Sequence, residues 1–270
     1  MRLLVVGAGE MGRWVADTLT AAPDAFDGTV AVTFADADAS VAADAAAERN
    51  ASALESDFQP GEDRFDAVCL AVPMPSIESA IEEWASAAAG ALFDVAGAME
   101  PAIETMRTVA ADTGNEIDEY GSFHPLFAPP RAPGNVAFVP GEDGPLLTGV
   151  RAGIRGAGNE VFETTAAEHD AAMTTVQAGA HAAILAYGLV AAGADVREEF
   201  HTPVSGRLER LVETVTEGSP DVYADIQRAF DGAEEIADAA DRVANAREDR
   251  EAFRSLYREA RTGERRDRGD

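Results

Sequence analysis

Two sets of residues in this 270-residue chain have the types and spacing of chemistry. The first is Gly7-Ala-Gly9-Glu-Met-Gly12. It lies between four apolar residues, Leu3 to Val6, and a helical pattern at Trp14, Val15, Thr18 and Leu19. In that setting it reads as a dinucleotide fingerprint. Gly7 permits the tight turn, Gly9 lets the backbone approach a pyrophosphate, and Gly12 lets the helix pack close to the strand. The first helical turn, beginning at Glu10 and Met11, offers free N–H groups to the anion. Asp36 ends the next apolar run, 24 positions beyond Gly12. It is the acid expected at the adenosine ribose, with one more surface aspartate as the plainer alternative. An acid there repels a 2′-phosphate, so the expected cofactor is NAD. Val72 and Pro73 join the cofactor-binding set. They stand where prolines stop a further buried strand at its carboxyl end, the place where ligands collect in open α/β sheets.

The second set is built on histidine. His124 follows a strand end, is fixed by Pro125, and is flanked by Phe123 and Phe127. A neutral imidazole in such a loop is placed to accept a proton, and capping a turn has an equal claim. His169 and Asp170 stand where a second domain begins and read as helix-start caps. Gln177 and His181 are four apart, so they share one face of a very apolar helix. Polar groups there need either core hydrogen bonds or a ligand. Arg207 lies in the helix after Pro203, beside Leu208 and Leu211. Its guanidinium could hold a carboxylate in two bonds, although pairing with a neighbouring acid is favoured on the residues alone. His201 sits in a polar loop and is given no role, and no metal is expected.

The elements that must position these residues alternate for the first part of the chain. Strands are expected at 3–6, 30–35, 65–72, 91–95, 116–120, 135–139 and 160–164. Helices are expected at 41–49, 77–88 and 101–111, the spacing of βαβ units. From residue 167 only helices are expected, with 174–192 apolar around most of its circumference. Pro203 and Gly218-Ser-Pro220 divide the remainder, 234–258 reads as one charged amphipathic helix, and 262–270 as a frayed tail. Two domains follow: 1–166, a Rossmann-type dinucleotide-binding domain of α/β class, and 167–270, an all-helical dimerisation domain. The apolar helix implies a homodimer through that second domain.

Composition narrows the partners. The chain has 49 acidic and 21 basic residues, a net charge of −28, and no lysine at all. That negative surface repels nucleic acid and anionic membranes. With 46% hydrophobic residues in periodic segments, the charge does not mean disorder. A soluble cytoplasmic protein from a high-salt setting is the economical reading, because screening shortens the reach of self-repulsion. Cys69, the single cysteine, reads as a small core residue. Neither a signal peptide nor a segment approaching a membrane span is expected.

Four blocks of the chain resemble the prephenate dehydrogenase family, enzymes that make 4-hydroxyphenylpyruvate for tyrosine synthesis. They are Gly-Ala-Gly-Glu-Met-Gly-Arg at 7–13, and His-Pro-Leu-Phe-Ala-Pro at 124–129, similar to the family's His-Pro-Met-Phe-Gly-Pro. The third and most specific is Glu168-His-Asp-x-x-Met-Thr-x-x-Gln-Ala-x-x-His181. The fourth is Pro203 through Arg207-Leu-Glu, with Tyr223-Ala-Asp-Ile226 after it. The resemblance, taken with the acidity, implies a halophilic archaeal-type member. It implies that His124 is the catalytic histidine, that Arg207, Gln177 and His181 line the substrate pocket, and that the reaction is NAD-dependent oxidative decarboxylation of prephenate. Arogenate is the alternative substrate, and another two-domain NAD-linked reductase or a non-catalytic nucleotide-sensing homologue are the alternative functions. A lysine-dependent mechanism is excluded, since there is no lysine. The family's serine after the Asp-Val strand end is missing here, where the chain reads Asp94-Val-Ala-Gly97. Ser122 is the candidate to replace its hydroxyl as a substrate-binding group.

Overall fold

The protein is described from a computed structural model covering residues 1–262 apart from Asp27, 55–57, Gln59, Glu62, Thr113 and Asp195. It divides into two compact units, Met1–Ala171 and Ala172–Asp270. The division falls after Ala171, inside the helix that starts at Ala166, rather than after residue 166 as expected. The frayed tail expected over 262–270 lies outside the described residues from 263 onward.

The first unit is organised on β1 (Arg2–Val6), whose Leu3, Leu4 and Val5 are completely buried. A strand with no polar face has to be covered on both sides, and here it lies in the middle of an eight-stranded sheet. The order is β3 (Ser52–Ala53), β2 (Ala31–Ala35), β1, β4 (Phe65–Leu70), β5 (Ala88–Asp94), β6 (Glu119–Pro125), β7 (Asn135–Glu142), β8 (Glu160–Glu163). All neighbours pair in parallel except β6 and β7. The chain runs outward from β1 through β2 to β3, then returns to β1's other side at β4. Their carboxyl ends flank the switch point where open α/β sheets bind ligands.

Helices cover both faces. On one side α1 (Glu10–Thr20), α2 (Ala39–Arg49) and α5 (Pro145–Gly156) bury Val15, Leu19, Ala42, Ala45, Val150 and Ile154 in one core. On the other, α3 (Ile77–Trp84) and α4 (Met99–Ala110) bury Ile77, Ile81, Ala102 and Met106. Asp38 caps α2 by accepting from Ser40 N–H at 2.9 Å, and Asn50 ends that helix in the left-handed region at φ 51°.

Three sequence expectations need correction here. The strand expected at 116–120 is β6, and it runs on through His124 to Pro125, so His124 is a strand residue rather than a loop residue. The extension exists because β7 pairs with it antiparallel, His124 opposite Ala137, a partner that no local pattern reveals. The single helix expected at 234–258 is two, α10 (Gly232–Asn245) and α11 (Arg250–Thr262). Asp249 separates them and caps the second, accepting from Glu251 and Ala252 N–H.

The third correction concerns the apolar helix. α6 (Ala166–Met173), a π-helical stretch Thr174–Gly179 and α7 (Ala180–Ala192) form one run of 27 residues. Its most apolar 18-residue window has mean hydropathy 1.3, so by length and composition it could cross a membrane. The segment reads shorter in sequence because His169, Asp170, Gln177 and His181 interrupt its first half. Only 11% of that window is buried within the chain.

Candidate active site

The glycine-rich turn takes the form its sequence requires. Gly7 has φ +96°, and any side chain there would overlap the Ala71 carbonyl. A side chain on Gly12 would overlap the carbonyl of Gly7. Gly9 is different: no atom lies within 4 Å of where its Cβ would be. The glycines at 7 and 12 are therefore demanded by the turn itself, while the one at 9 leaves space for a ligand. Gly9 also caps α1 without a side-chain bond, so Glu10, Met11 and the residues after them begin the helix with N–H groups that no side chain claims. Asp36 closes the turn from β2, with Oδ2 accepting from Ala8 N–H at 2.8 Å and Oδ1 from Asp38 N–H at 3.0 Å. Val72 is half-buried and Pro73 exposed, just past the carboxyl end of β4.

Four strands away from β2, His124 points inward and is 7% exposed. Its Nδ1 lies 2.9 Å from Nε2 of His169, the two rings meeting edge to face. His169 Nδ1 lies in turn 2.7 Å from Asp170 Oδ1. Both oxygens of Asp170 also accept from the first N–H groups of α4, Oδ1 from Met99 and Oδ2 from Glu100, each at 3.0 Å. The capping expected of His169 and Asp170 at their own helix is thus corrected: Asp170 caps α4, and His169 is 3% exposed against His124. The adjacent pair Glu168-His-Asp was visible in the sequence, but not the strand it would reach.

The other ring nitrogen of His124 faces Gly97. A Cβ built on Gly97 would stand 3.5 Å from His124 Nε2 and 3.0 Å from Met74 Sδ. A serine at 97 would therefore lie against Nε2; in this chain the position carries no side chain, and Met74 Sδ packs close to where one would begin. Ser122 does not fill it. Its Oγ bonds Asp94 Oδ1 at 3.1 Å, because Ser122 and Asp94 are register partners on β6 and β5.

Asp94 escaped the sequence reading, being the last residue of an apolar strand. It is completely buried; Oδ1 also accepts from Ala96 N–H at 2.7 Å, and Oδ2 has no partner among the described residues. Burial raises its carboxyl to about 7, against the lowering effect of those two hydrogen bonds. His124 moves the opposite way. Burial pushes it down to about 3 and His169 adds to the drop, while Asp170 pulls it up. The imidazole is therefore neutral across the physiological range. Burial also pushes the Cys69 thiol well up, which keeps it unreactive.

In the second unit, Gln177 lies in the π-helical stretch and His181 in the first turn of α7. Gln177 Oε1 and His181 Nδ1 are buried and unpartnered among the described residues. The His181 ring packs edge to face on Tyr223 of α9 (Pro220–Ala229), centroids 4.6 Å apart, and burial lowers its pKa. Gln227, one turn on from Tyr223, donates to the carbonyl of Ala178 at 2.9 Å. A π-helical turn with orphaned polar atoms is a common mark of a functional position. Arg207 lies on α8 (Ser205–Thr216), exposed, and forms no ion pair with another described residue. The pairing favoured for it on sequence grounds is not what the described residues show.

No family model matches the chain. A 4-amino-4-deoxyprephenate dehydrogenase from Streptomyces pristinaespiralis is 31% identical over 218 residues, which are 73% of this chain and 69% of that protein. Among solved structures, the chain resembles prephenate dehydrogenase from Aquifex aeolicus in complex with hydroxyphenyl propionate and NAD+. The TM-score is 0.69 at 15% identity, covering 98% of this chain and 97% of that one. It also resembles Synechocystis arogenate dehydrogenase, with TM-score 0.62, 17% identity and 99% of each chain covered. At those identities the solved structures establish a shared fold, a Rossmann-type sheet followed by helices.

The two perturbed groups of the first unit act oppositely on stability. Between 3.8 and about 7 the folded chain keeps a proton on Asp94 that the unfolded chain releases, so this contribution is present in acid and lost as pH rises through 7. Between about 3 and 6.5 the unfolded chain binds a proton at His124 that the folded chain refuses, so that contribution is lost as pH falls. In the native protein the two offset each other over their common range. Asp94→Asn removes the first, so the variant should gain stability over wild type at pH 8 and lose it more steeply from pH 6.5 to 4.5. Urea denaturation at the two ends checks this; parallel stability curves for the two proteins would contradict it.

Proposed function

The chain belongs to the prephenate and arogenate dehydrogenase family, and from that membership we propose that it oxidatively decarboxylates prephenate to 4-hydroxyphenylpyruvate with NAD. The observation that carries this is the neutral, buried His124, with Nδ1 held by His169 and Nε2 turned to the backbone at Gly97, which brings no side chain of its own. The turn at Gly7, Gly9 and Gly12 fits the dinucleotide: its backbone is exposed where a pyrophosphate would lie, and Asp36 is fixed beside it for the ribose. Glu10, Met11, Val72 and Pro73 complete the proposed cofactor-binding set. Bound NAD supplies the acceptor for the hydride.

The chain's own residues handle a proton and position the substrate. His124 Nε2 accepts the proton of the ring hydroxyl as the hydride leaves the same carbon. The ring carboxylate then departs as CO2, and its bonding electrons flow through the ring to the oxygen, which takes the proton back from His124. Aromatisation drives the sequence, so the protein mainly orients its partners and polarises one hydroxyl. Gln177 and His181 are proposed as substrate-binding groups because their buried atoms lack partners within their own unit. Arg207 is proposed to hold a carboxylate, since no described acid claims its guanidinium. Ser122 acts through Asp94 rather than as a direct contact. A second reading, a ring amine in place of the hydroxyl, is favoured by two observations. The 31% identical relative is named for that substrate, and Gly97 brings no hydroxyl to the group beside Nε2.

We further propose a cytoplasmic homodimer adapted to high salt. Val176, Leu189 and Val190 are 63%, 78% and 76% exposed on the apolar helix, a face that water would disfavour. The start of that helix is committed to protein, since His169 and Asp170 are bonded to β6 and α4. A second copy of the chain is therefore the proposed cover for the face, not a bilayer.

Kinetics and the size of the protein in solution test these assignments. NADH formation should be fastest with prephenate, slower with arogenate and with the 4-amino analogue. His124→Asn should lower kcat by about 10²–10⁴-fold and hardly move KM, whereas Arg207→Ala should mainly raise KM. Wild-type kcat in His124→Asn would refute the assignment of the base. Light scattering in molar KCl should give a dimer; a monomer at micromolar concentration, or co-sedimentation with neutral phospholipid vesicles, would remove the dimer proposal.

A further inference from the structure

His124 touches a second histidine, and the second touches an acid whose own partners hold it in place. The chain of contacts runs from β6 to α6: His124 Nδ1 to His169 Nε2 at 2.9 Å, then His169 Nδ1 to Asp170 Oδ1 at 2.7 Å. His169 is 3% exposed and His124 7%, so water does not stand in for either contact. Burial alone would raise the Asp170 carboxyl. The hydrogen bonds from His169, Met99 and Glu100 outweigh it and keep the group a carboxylate. The positive end of α4 works in the same direction.

A carboxylate only accepts, so the hydrogen between Asp170 and His169 belongs to His169 Nδ1. With one proton per imidazole, His169 Nε2 is then a lone pair and must accept. The hydrogen between the two histidines therefore belongs to His124 Nδ1, and His124 Nε2 is bare. That bare nitrogen is the one facing Gly97, which has no side chain to bond it. With both rings neutral, any other order sets lone pairs against each other at the 2.9 Å or the 2.7 Å contact, or two hydrogens at 2.9 Å.

We propose that Asp170 and His169 are positioning residues that fix His124 in its Nδ1–H tautomer, so that Nε2 is the proton acceptor of the reaction. This rests on the reading of His124 as the base. When Nε2 takes the substrate proton, the buried imidazolium has a hydrogen-bonded path to a carboxylate two residues of the chain of contacts away. The charge that burial penalises is thereby compensated without Asp170 touching the substrate. No proton needs to leave His124 for the cycle to close, because it returns to the substrate oxygen.

The test has one arm that needs no activity. Long-range 1H–15N NMR of the histidine-labelled full-length protein, with His124 assigned by its loss in His124→Asn, should show His124 protonated on Nδ1 and bare at Nε2. His124 protonated on Nε2 would overturn the proposal, and that outcome is expected if His169 is instead a cation donating from both nitrogens. The kinetic arm compares His169→Leu with His169→Gln. A glutamine amide can donate to Asp170 and accept from His124 Nδ1, the same order as the imidazole, whereas leucine can do neither. His169→Leu should lose at least about tenfold in kcat with KM nearly unchanged, and His169→Gln should recover most of it. Equal kcat in the two variants, whether both high or both low, would overturn the proposal. Failure of the proposed function is separable: it shows as an inactive wild type, while the NMR arm still decides the tautomer. If the leucine variant does not fold, the wild-type spectrum remains decisive.

Discussion

Burying an imidazole in the wall of a β-sheet is the constraint on which the rest of the first unit depends. His124 sits in β6 between β5 and β7, with its charge suppressed by the loss of water. A buried ring with two polar nitrogens has to place both of them. One is taken by His169, which draws the start of α6 onto the sheet. Asp170, next to it, then anchors the first turn of α4. The remaining nitrogen is left facing Gly97, which has no side chain to bond it. A strand, two helices and a glycine are arranged around a single hydrogen-bonding problem. Its solution leaves one acceptor atom for chemistry.

The nucleotide turn follows a separate logic that depends on backbone rather than side chains. Gly7 and Gly12 are fixed by sterics, because a Cβ at either would overlap a carbonyl. That demand exists with or without a ligand, which is why the pattern is so readable. Gly9 carries the ligand signal, since it is the one glycine of the three with open space before it. Asp36 ties the two together: it already spends one oxygen on the turn, so the acid is rigid before any ribose arrives.

Much of this was legible in the sequence, and the failures have physical causes. Strands buried on both faces, helices with a one-sided apolar stripe, and a glycine turn between them are local patterns, and β1, β2, β4 and α1 follow them. The end of β6 was not legible, because its last residues are strand only by pairing with β7, and Gly121 and Pro125 look like a turn. His169 and Asp170 were visible as a pair but not as partners of His124, since 45 residues of chain separate the two histidines. Asp94 was hidden by its neighbours: Leu92 and Phe93 made it look like the polar end of a strand, although it is wholly buried. The apolar helix was recognised, but its true length was not, because its first turn carries the polar residues that hold it to the sheet.

The central claim is that the base is a neutral histidine held far below its usual protonation range. The dependence of initial kcat/KM on pH tests it most directly, because it reports the free enzyme's essential groups. With His124 at about 3, the profile for prephenate in the Asp94→Asn variant, which removes the carboxyl raised to about 7, should stay level from pH 7.5 down to pH 5, with no acid limb near the ordinary histidine value of 6.5. A rate that falls about tenfold per pH unit below 6.5 would mean that His124 titrates as if in water, and would contradict the account.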